Sequence, residues 1–297
     1  MVIVASIPET ISGRRKVMKI SGFTIARNAV KFQYPLVESI RSALPLCDEM
    51  IVNVGDSEDD TLGLVRSVRD PKIKILQNRW DMSLGKEVLS QQTNLALAAC
   101  RGDWAVYLQS DEVLHEKDLP ALRRCMKACL NEPGVDALRF RWLHFYGSYY
   151  RYRIDRGWYQ KQDRIIRNNG QVESFGDAYG FRRKDGRPLG RKNTGCLLYH
   201  YGWVHSEAVM AQRRSNAKEI GYASLSPQDD RDMYSFGDLS RFPAYFGPHP
   251  AVMRDKVLAH TLSRADLRSI NRTFWWHPMK ILKVRYKTFK RLKKSLS

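Results

Sequence analysis

The sequence predicts an α/β fold: a mostly parallel central sheet flanked by helices, followed by a basic helical C-terminal tail. Three observations carry that expectation. From Val17 to Leu114, short apolar runs rich in β-branched and aromatic residues alternate with stretches at helical spacing. That order makes βαβ units with right-handed crossovers. Several of the apolar runs stop abruptly at polar or acidic residues, as in open sheets that place chemistry at strand carboxyl ends. At 297 residues the chain is also long enough to bury a sizeable core.

The elements follow in order. Residues 1–16 read as an N-terminal extension and 17–222 as the main domain, divided into halves at 17–114 and 115–222. The strand that begins near Val17 ends in a polar turn at Arg27 and Asn28. Val30 to Leu44 carries apolar residues near helical spacing, and Pro45 marks its end. Asp48 to Val54 is a second strand, followed by G-D-S-E-D-D-T, where Ser57 or Asp59 is placed to cap a helix bearing Leu62, Leu64, Val65 and Val68. Lys72 to Leu76 is a third strand. A helix over Leu89 to Ala99 follows, with Gly102 in the position of a C′ residue. Then comes Trp104 to Leu114, W-A-V-Y-L-Q-S-D-E-V-L, a buried strand that turns acidic at Asp111 and Glu112.

The second half opens with a helix over 116–131, stopped by Pro133-Gly134. Asp136 to Trp142 alternates Leu138, Phe140 and Trp142 with Arg139 and Arg141, a strand with one buried face. A stretch of Phe145, Tyr146, Tyr149, Tyr150, Tyr152, Trp158 and Tyr159 then interleaves with Arg151, Arg153 and Arg156. Aromatic faces suit the apolar faces of sugar rings, arginines suit phosphate or carboxylate, and the mixture also suits single-stranded nucleic acid. Arg164 to Arg167 is a short strand. Cys196 to Tyr201 is another, ending H-Y-G-W-V-H, where His200 or His205 is a candidate for a metal or a diphosphate. A helix over 206–222 carries Arg213, Arg214 and Lys218. Residues 223–266 read as a linker or lid, and 267–297 as the tail.

Charge sets the class of partner. Fifty Lys and Arg face 31 Asp and Glu, a formal +19, which calls for an acidic partner: nucleic acid, an anionic membrane or a phosphorylated substrate. The five cysteines form no C-x-x-C pair, which argues against a disulfide framework and a zinc site and fits a reducing compartment. The opening residues lack the features of a signal peptide, and no apolar run is long enough to span a bilayer, so the expected location is cytoplasmic. The tail holds ten Lys or Arg and no acid. With Leu282, Tyr286, Phe289, Leu292 and Leu296 at helical spacing behind Trp275 and Trp276, it reads as an interfacial helix on the inner face of a membrane.

The chemistry concentrates at strand ends. Asp111 and Glu112 present carboxylates of the kind that hold Mg²⁺ or Mn²⁺, ions that keep waters and substrate phosphates as their other ligands. Asn94 to Gly102 followed by Trp104 to Glu112 resembles the N-x-(small)-x-x-x-A-x-G…L-D-x-D-(D/E) block of family 2 glycosyltransferases. Asp48 to Thr61 resembles their second strand and its V-D-x-G-S-x-D-x-T turn, with Ser57, Asp59 and Thr61 in register. The similarity is closest to the bacterial branch that builds lipopolysaccharide cores and other surface glycans.

The resemblance implies the nucleotide-sugar-binding GT-A fold and an inverting transfer from a nucleotide-diphosphate sugar to a glycan or glycolipid, assisted by a divalent metal. It implies a donor site around Ala26, Arg27, Asn28, Asp56, Asp59, Asn94, Gln109 and Ser110, and a metal site at Asp111 and Glu112, to which His200 is added. It also implies a carboxylate base for the acceptor hydroxyl, with Asp177 the first candidate and Glu173 the second. Two departures stand out. Asp56 sits where the family commonly has Gly, beside Val54-Gly55 in place of the usual nucleobase-facing Asp. Gln109 replaces the first Asp of D-x-D, so it would bind a metal weakly or through a water.

Two other classes compete. A nucleic-acid-binding protein accounts for the charge and the Arg/aromatic stretch but not for strand-end acids at Asp56, Asp59, Asp111 and Glu112, so no nucleic acid is expected. A nucleotidyltransferase uses a similar sheet and metal, yet it normally shows a Gly-rich phosphate loop after the first strand, where this chain has A-R-N-A.

Overall fold

A computed structural model describes residues 17–155, 157–222 and 233–260. The N-terminal extension, part of the linker and the whole basic tail lie outside the described residues.

Strand β1 (Ile20–Ala26) is central and buried along its whole length, as expected for a parallel strand covered on both faces. It pairs in parallel with β2 (Glu49–Gly55) on one side and β4 (Trp104–Tyr107) on the other, and β2 pairs in parallel with β3 (Ile73–Asn78). The connecting helices are α1 (Leu36–Ala43), α2 (Thr61–Arg66) and α3 (Glu87–Ala98). This is the parallel half that the alternating pattern predicts.

Helix α1 is shorter than its apolar spacing suggests. Asn28 and Gln33 both take left-handed φ values of 53°, and Pro35 occupies the N-cap, so turns fill the space before Leu36. Gly102 also differs from expectation: it does not cap α3, which ends at Ala98 with Ala99 as its C-cap. A Cβ at Gly102 would lie 2.6 Å from the Ser21 nitrogen, so the glycine permits a close backbone approach to β1. Its N–H donates to Ser21 Oγ at 2.7 Å.

Beyond β4 the sheet is mixed. Strand β8 (Lys161–Arg167) is antiparallel to β4, and β6 (Ala137–Tyr146) is antiparallel to β8. Strand β11 (Arg191–Trp203) runs parallel to β6, and β5 (Glu112–Leu114) closes the far edge antiparallel to β11. With β7 (Tyr152–Arg153) beside β6, the sheet has nine strands, while β9 (Val172–Phe175) and β10 (Gly180–Arg183) form a separate hairpin. Helices α4 (Leu119–Cys129), α5 (Glu207–Glu219) and α6 (Arg254–Ala259) complete the elements; Ser206 Oγ caps α5 by accepting the Val209 N–H.

Chain connectivity forces the sheet to curl. In the strand order, β4 and β5 are four neighbours apart, roughly 19 Å across a flat sheet. Only Leu108 to Asp111 join them, an extended reach of about 18 Å that is shortened further by a turn, Glu112 N–H to Gln109 C=O at 3.0 Å. The two halves therefore bend toward each other. The loop carrying Asp111 lies where the ends of β1 and β4 face residues of β6 and β11.

Candidate active site

The curl encloses a cavity of about 710 Å³. Its base is made by Ile25, Ala26 and Arg27 at the end of β1 and by Gln109, Ser110 and Asp111 after β4. Ser110 Oγ donates to the Ile25 carbonyl at 2.9 Å, which ties those two strand ends together. Gln109 Nε2 reaches toward the Ala178 carbonyl at 3.4 Å. The far wall is aromatic: Trp142, Trp158, Tyr159, Tyr179 and Trp203. Helix α5 contributes Arg213, Arg214 and Lys218.

Asp111 and His200 meet at the centre, with the Asp111 carboxylate 3.6 Å from His200 Nε2. Burial alone would raise the Asp111 carboxyl, but His200 and then Arg213 override it and hold it at about 2. Gly202 leaves room for the pair: a Cβ there would come within 2.5 Å of Asp111 Oδ2 and 2.8 Å of His200 Nε2. Arg213 is anchored rather than loose. Its guanidinium donates to the Phe32 carbonyl at 2.6 Å and to the Gly202 carbonyl at 2.6 Å, and it stacks over Tyr34.

Behind His200 stands a second imidazole that sequence reasoning missed. His144 is buried, 3.0 Å from His200 between their Nδ1 atoms, and its Nε2 lies 2.6 Å from the Tyr159 carbonyl. Burial first, then the neighbouring His200 imidazole, pushes it down to about 3, so His144 stays neutral. The available signal was alternation, since His144 shares a face with Leu138, Phe140 and Trp142, where an apolar residue is expected.

Asp177 lines the same cavity and accepts a hydrogen bond from the Tyr222 hydroxyl at 3.0 Å. Tyr222, also missed, is raised above its ordinary value by burial and then by the Asp177 carboxylate, so it stays a donor.

The remaining expected residues lie elsewhere. Asn28 is buried and accepts the Glu58 N–H, while Asp59 accepts the Lys31 and Thr61 N–H groups; together they clamp the loops after β1 and β2. Asp56 sits at the rim, its carbonyl accepting from Arg27 Nε at 3.1 Å and its carboxylate from the Trp80 N–H. Asn94 holds the Ser174 backbone with two hydrogen bonds and, with Glu173, lines a separate groove, where Glu173 pairs with Arg182.

Glu112 differs most from expectation. Rather than turning into the cavity beside Asp111, it is fully buried against Arg164, itself fully buried, at 2.8 Å. The same carboxylate oxygen accepts the Gln109 N–H at 3.0 Å, and Arg164 donates on to the Tyr179 carbonyl at 3.1 Å. Alternation across the D-E dipeptide sends the two acids to opposite sides. Glu112 therefore fixes the loop that presents Asp111.

The family described as glycosyl transferase family 2 matches residues 23–187, more than half of the chain. The chain therefore belongs to glycosyl transferase family 2, and it is a glycosyltransferase. No curated protein matches it in sequence. Among solved structures, S. aureus TarS is similar at 17% identity and a TM-score of 0.41 over 71% of this chain and 41% of TarS. TarS 1-349 in complex with UDP is similar at 17% identity and a TM-score of 0.42, over 71% and 68% of the two chains. Mannosyl-3-phosphoglycerate synthase from Rubrobacter xylanophilus is similar at 20% identity and a TM-score of 0.32, over 43% and 41%. The chain thus spans less than half the length of the full TarS chain.

Losing one partner of the Glu112–Arg164 pair strands the other charge in the interior. Glu112→Ala is expected to cost about 3–5 kcal/mol in chemical denaturation. A loss under about 1 kcal/mol would contradict the structural role.

Proposed function

We propose that this glycosyltransferase moves a sugar from a nucleotide-diphosphate donor to a glycan or glycolipid acceptor, with inversion, in bacterial surface-glycan synthesis of the lipopolysaccharide-core type. One observation carries the reading: a single cavity joins Asp111 and His200, four cationic side chains (Arg27, Arg213, Arg214 and Lys218), and an aromatic wall that includes the neighbourhood of Asp177.

A divalent cation fits this arrangement. Asp111 and His200 offer an oxygen and an imidazole nitrogen to one point, and Gly202 keeps that space clear. Among the described residues no cluster of three or more ligating side chains forms. Two protein ligands still suit Mg²⁺ or Mn²⁺, which take waters and substrate phosphates for the rest. When bound, such an ion supplies Lewis-acid neutralisation of the departing diphosphate. Glu112, committed to Arg164, is left out of the ligand set.

The chain's own groups do the remainder. Ala26, Arg27, Gln109 and Ser110 form the donor end, with Asp56 at its rim. Arg214 and Lys218 add positive charge along the path of the diphosphate, while Arg213 holds α5 to the Phe32 carbonyl. The aromatic wall stacks the acceptor ring and keeps water out. Asp177, oriented by Tyr222, takes the proton from the attacking hydroxyl. Glu173 lies in the other groove and is the weaker candidate. The tail, outside the described residues, is read as attaching the enzyme to the cytoplasmic face of an anionic membrane.

Hydrolysis and transfer measured over a panel of nucleotide sugars, with and without Mn²⁺, test this reading. Asp111→Asn is expected to abolish turnover, and near-normal transfer with Mn²⁺ would contradict the cation site. Asp177→Asn is expected to keep donor affinity and to lose at least about 10²-fold in transfer, the scale of a positioned base. Equal loss of donor affinity would place Asp177 on the nucleotide side instead. For the tail, the full chain should co-sediment with anionic vesicles and not with neutral ones, whereas a chain ending at Thr273 should stay in solution. Equal sedimentation of the two would refute the membrane role.

A further inference from the structure

We infer that His144 is a positioning residue for His200: with the Tyr159 carbonyl, it selects the His200 tautomer whose Nε2 lone pair faces Asp111. This rests on the proposed cation site at Asp111 and His200, but it concerns a residue outside that ligand set.

The geometry leaves little freedom. Strands β6 and β11 run parallel with His144 directly opposite His200 in the register. A carbonyl only accepts, so the 2.6 Å contact from His144 Nε2 to the Tyr159 oxygen requires the proton to sit on Nε2. His144 is 4% exposed and packed between Trp142 and Trp158, with ring centroids 4.5 and 5.1 Å away. A second proton there would bury a charge without a carboxylate partner, so Nδ1 is bare. Across the 3.0 Å contact the donor must then be His200 Nδ1–H. The His200 Nδ1 proton is then committed to His144, and Nε2 is the atom 3.6 Å from the Asp111 carboxylate. Held in this way, Nε2 is the ring atom that meets the carboxylate, through a proton or, at the proposed site, through a cation.

The carbonyl that starts this chain is itself held in place. The Trp142 N–H donates to the Gln160 carbonyl at 2.9 Å, which fixes the backbone one residue beyond Tyr159. Trp142 also stacks on His200 with ring centroids 5.0 Å apart, so the ring cannot turn over without displacing the indole. Hydrogen bonds of this kind, from the far nitrogen of a ligating imidazole, orient the ligand and set its tautomer.

The test uses the full chain and Mn²⁺ alone, titrated by the electron paramagnetic resonance signal of the free ion. His144→Phe is expected to raise the Mn²⁺ dissociation constant by about 10- to 100-fold, the usual effect of losing such a partner. His144→Asn places an amide oxygen near the Nδ1 position and should remain within about threefold of the unsubstituted protein, because an acceptor for His200 Nδ1–H survives. Equal weakening in both variants would indicate packing alone and overturn the inference. So would unchanged affinity in His144→Phe while His200→Ala loses the ion. Unchanged affinity in both Asp111→Asn and His200→Ala would instead remove the cation site itself. Should His144→Phe fail to fold, histidine ¹⁵N spectra of the unsubstituted protein decide. The expected His144 ring is protonated at Nε2 only, and a ring protonated at Nδ1 at neutral pH would overturn the proposal.

Discussion

Four residues, Leu108 to Asp111, join the centre of the sheet to its far edge, and the site depends on that short reach. Because the link cannot cross a flat sheet, the parallel half and the mixed half bend toward one another. The bend turns the ends of β1 and β4 toward β6 and β11, which supply the opposite wall. Glu112 and Arg164 hold the link from behind through a buried ion pair that also grips the Gln109 N–H and the Tyr179 carbonyl. Buried pairs of this kind add little net stability, but breaking one is costly, so their use is in fixing a single conformation.

Charge in the cavity is arranged by distance rather than by amount. The chain carries a formal +19, yet the cavity is organised around a carboxylate held ionised by His200 and Arg213. Arg213 spends its guanidinium on two backbone carbonyls, so its charge is fixed relative to Asp111. Arg27, Arg214 and Lys218 line the same cavity, and aromatic rings form much of its wall, with Trp142 stacked on His200.

Much of the fold was legible in the sequence, and the reasons are local. Short apolar runs alternating with helical stretches gave β1 to β4 in order, since central parallel strands read as continuous hydrophobic runs. Asp111 was legible because an acid ends such a run. Glu112 was not, since its role depends on Arg164, which is distant in sequence and reaches it only through the curl. His144 was hidden for a similar reason: its meaning comes from His200 opposite it on another strand. Asn28 and Asp59 illustrate a third case, in which residues matching a motif serve to clamp loops around a site without lining it.

On the proposed function, Asp111 and His200 form one cation site at the meeting point of donor and acceptor. Anomalous X-ray scattering from crystals grown with Mn²⁺ and a nucleoside diphosphate tests it most directly. The expected result is a single strong manganese peak bonded to the Asp111 carboxylate and to His200 Nε2, with diphosphate oxygens completing its shell. Bound nucleotide with no peak there, or a peak at Glu112, Asp56 or Glu173, would contradict it.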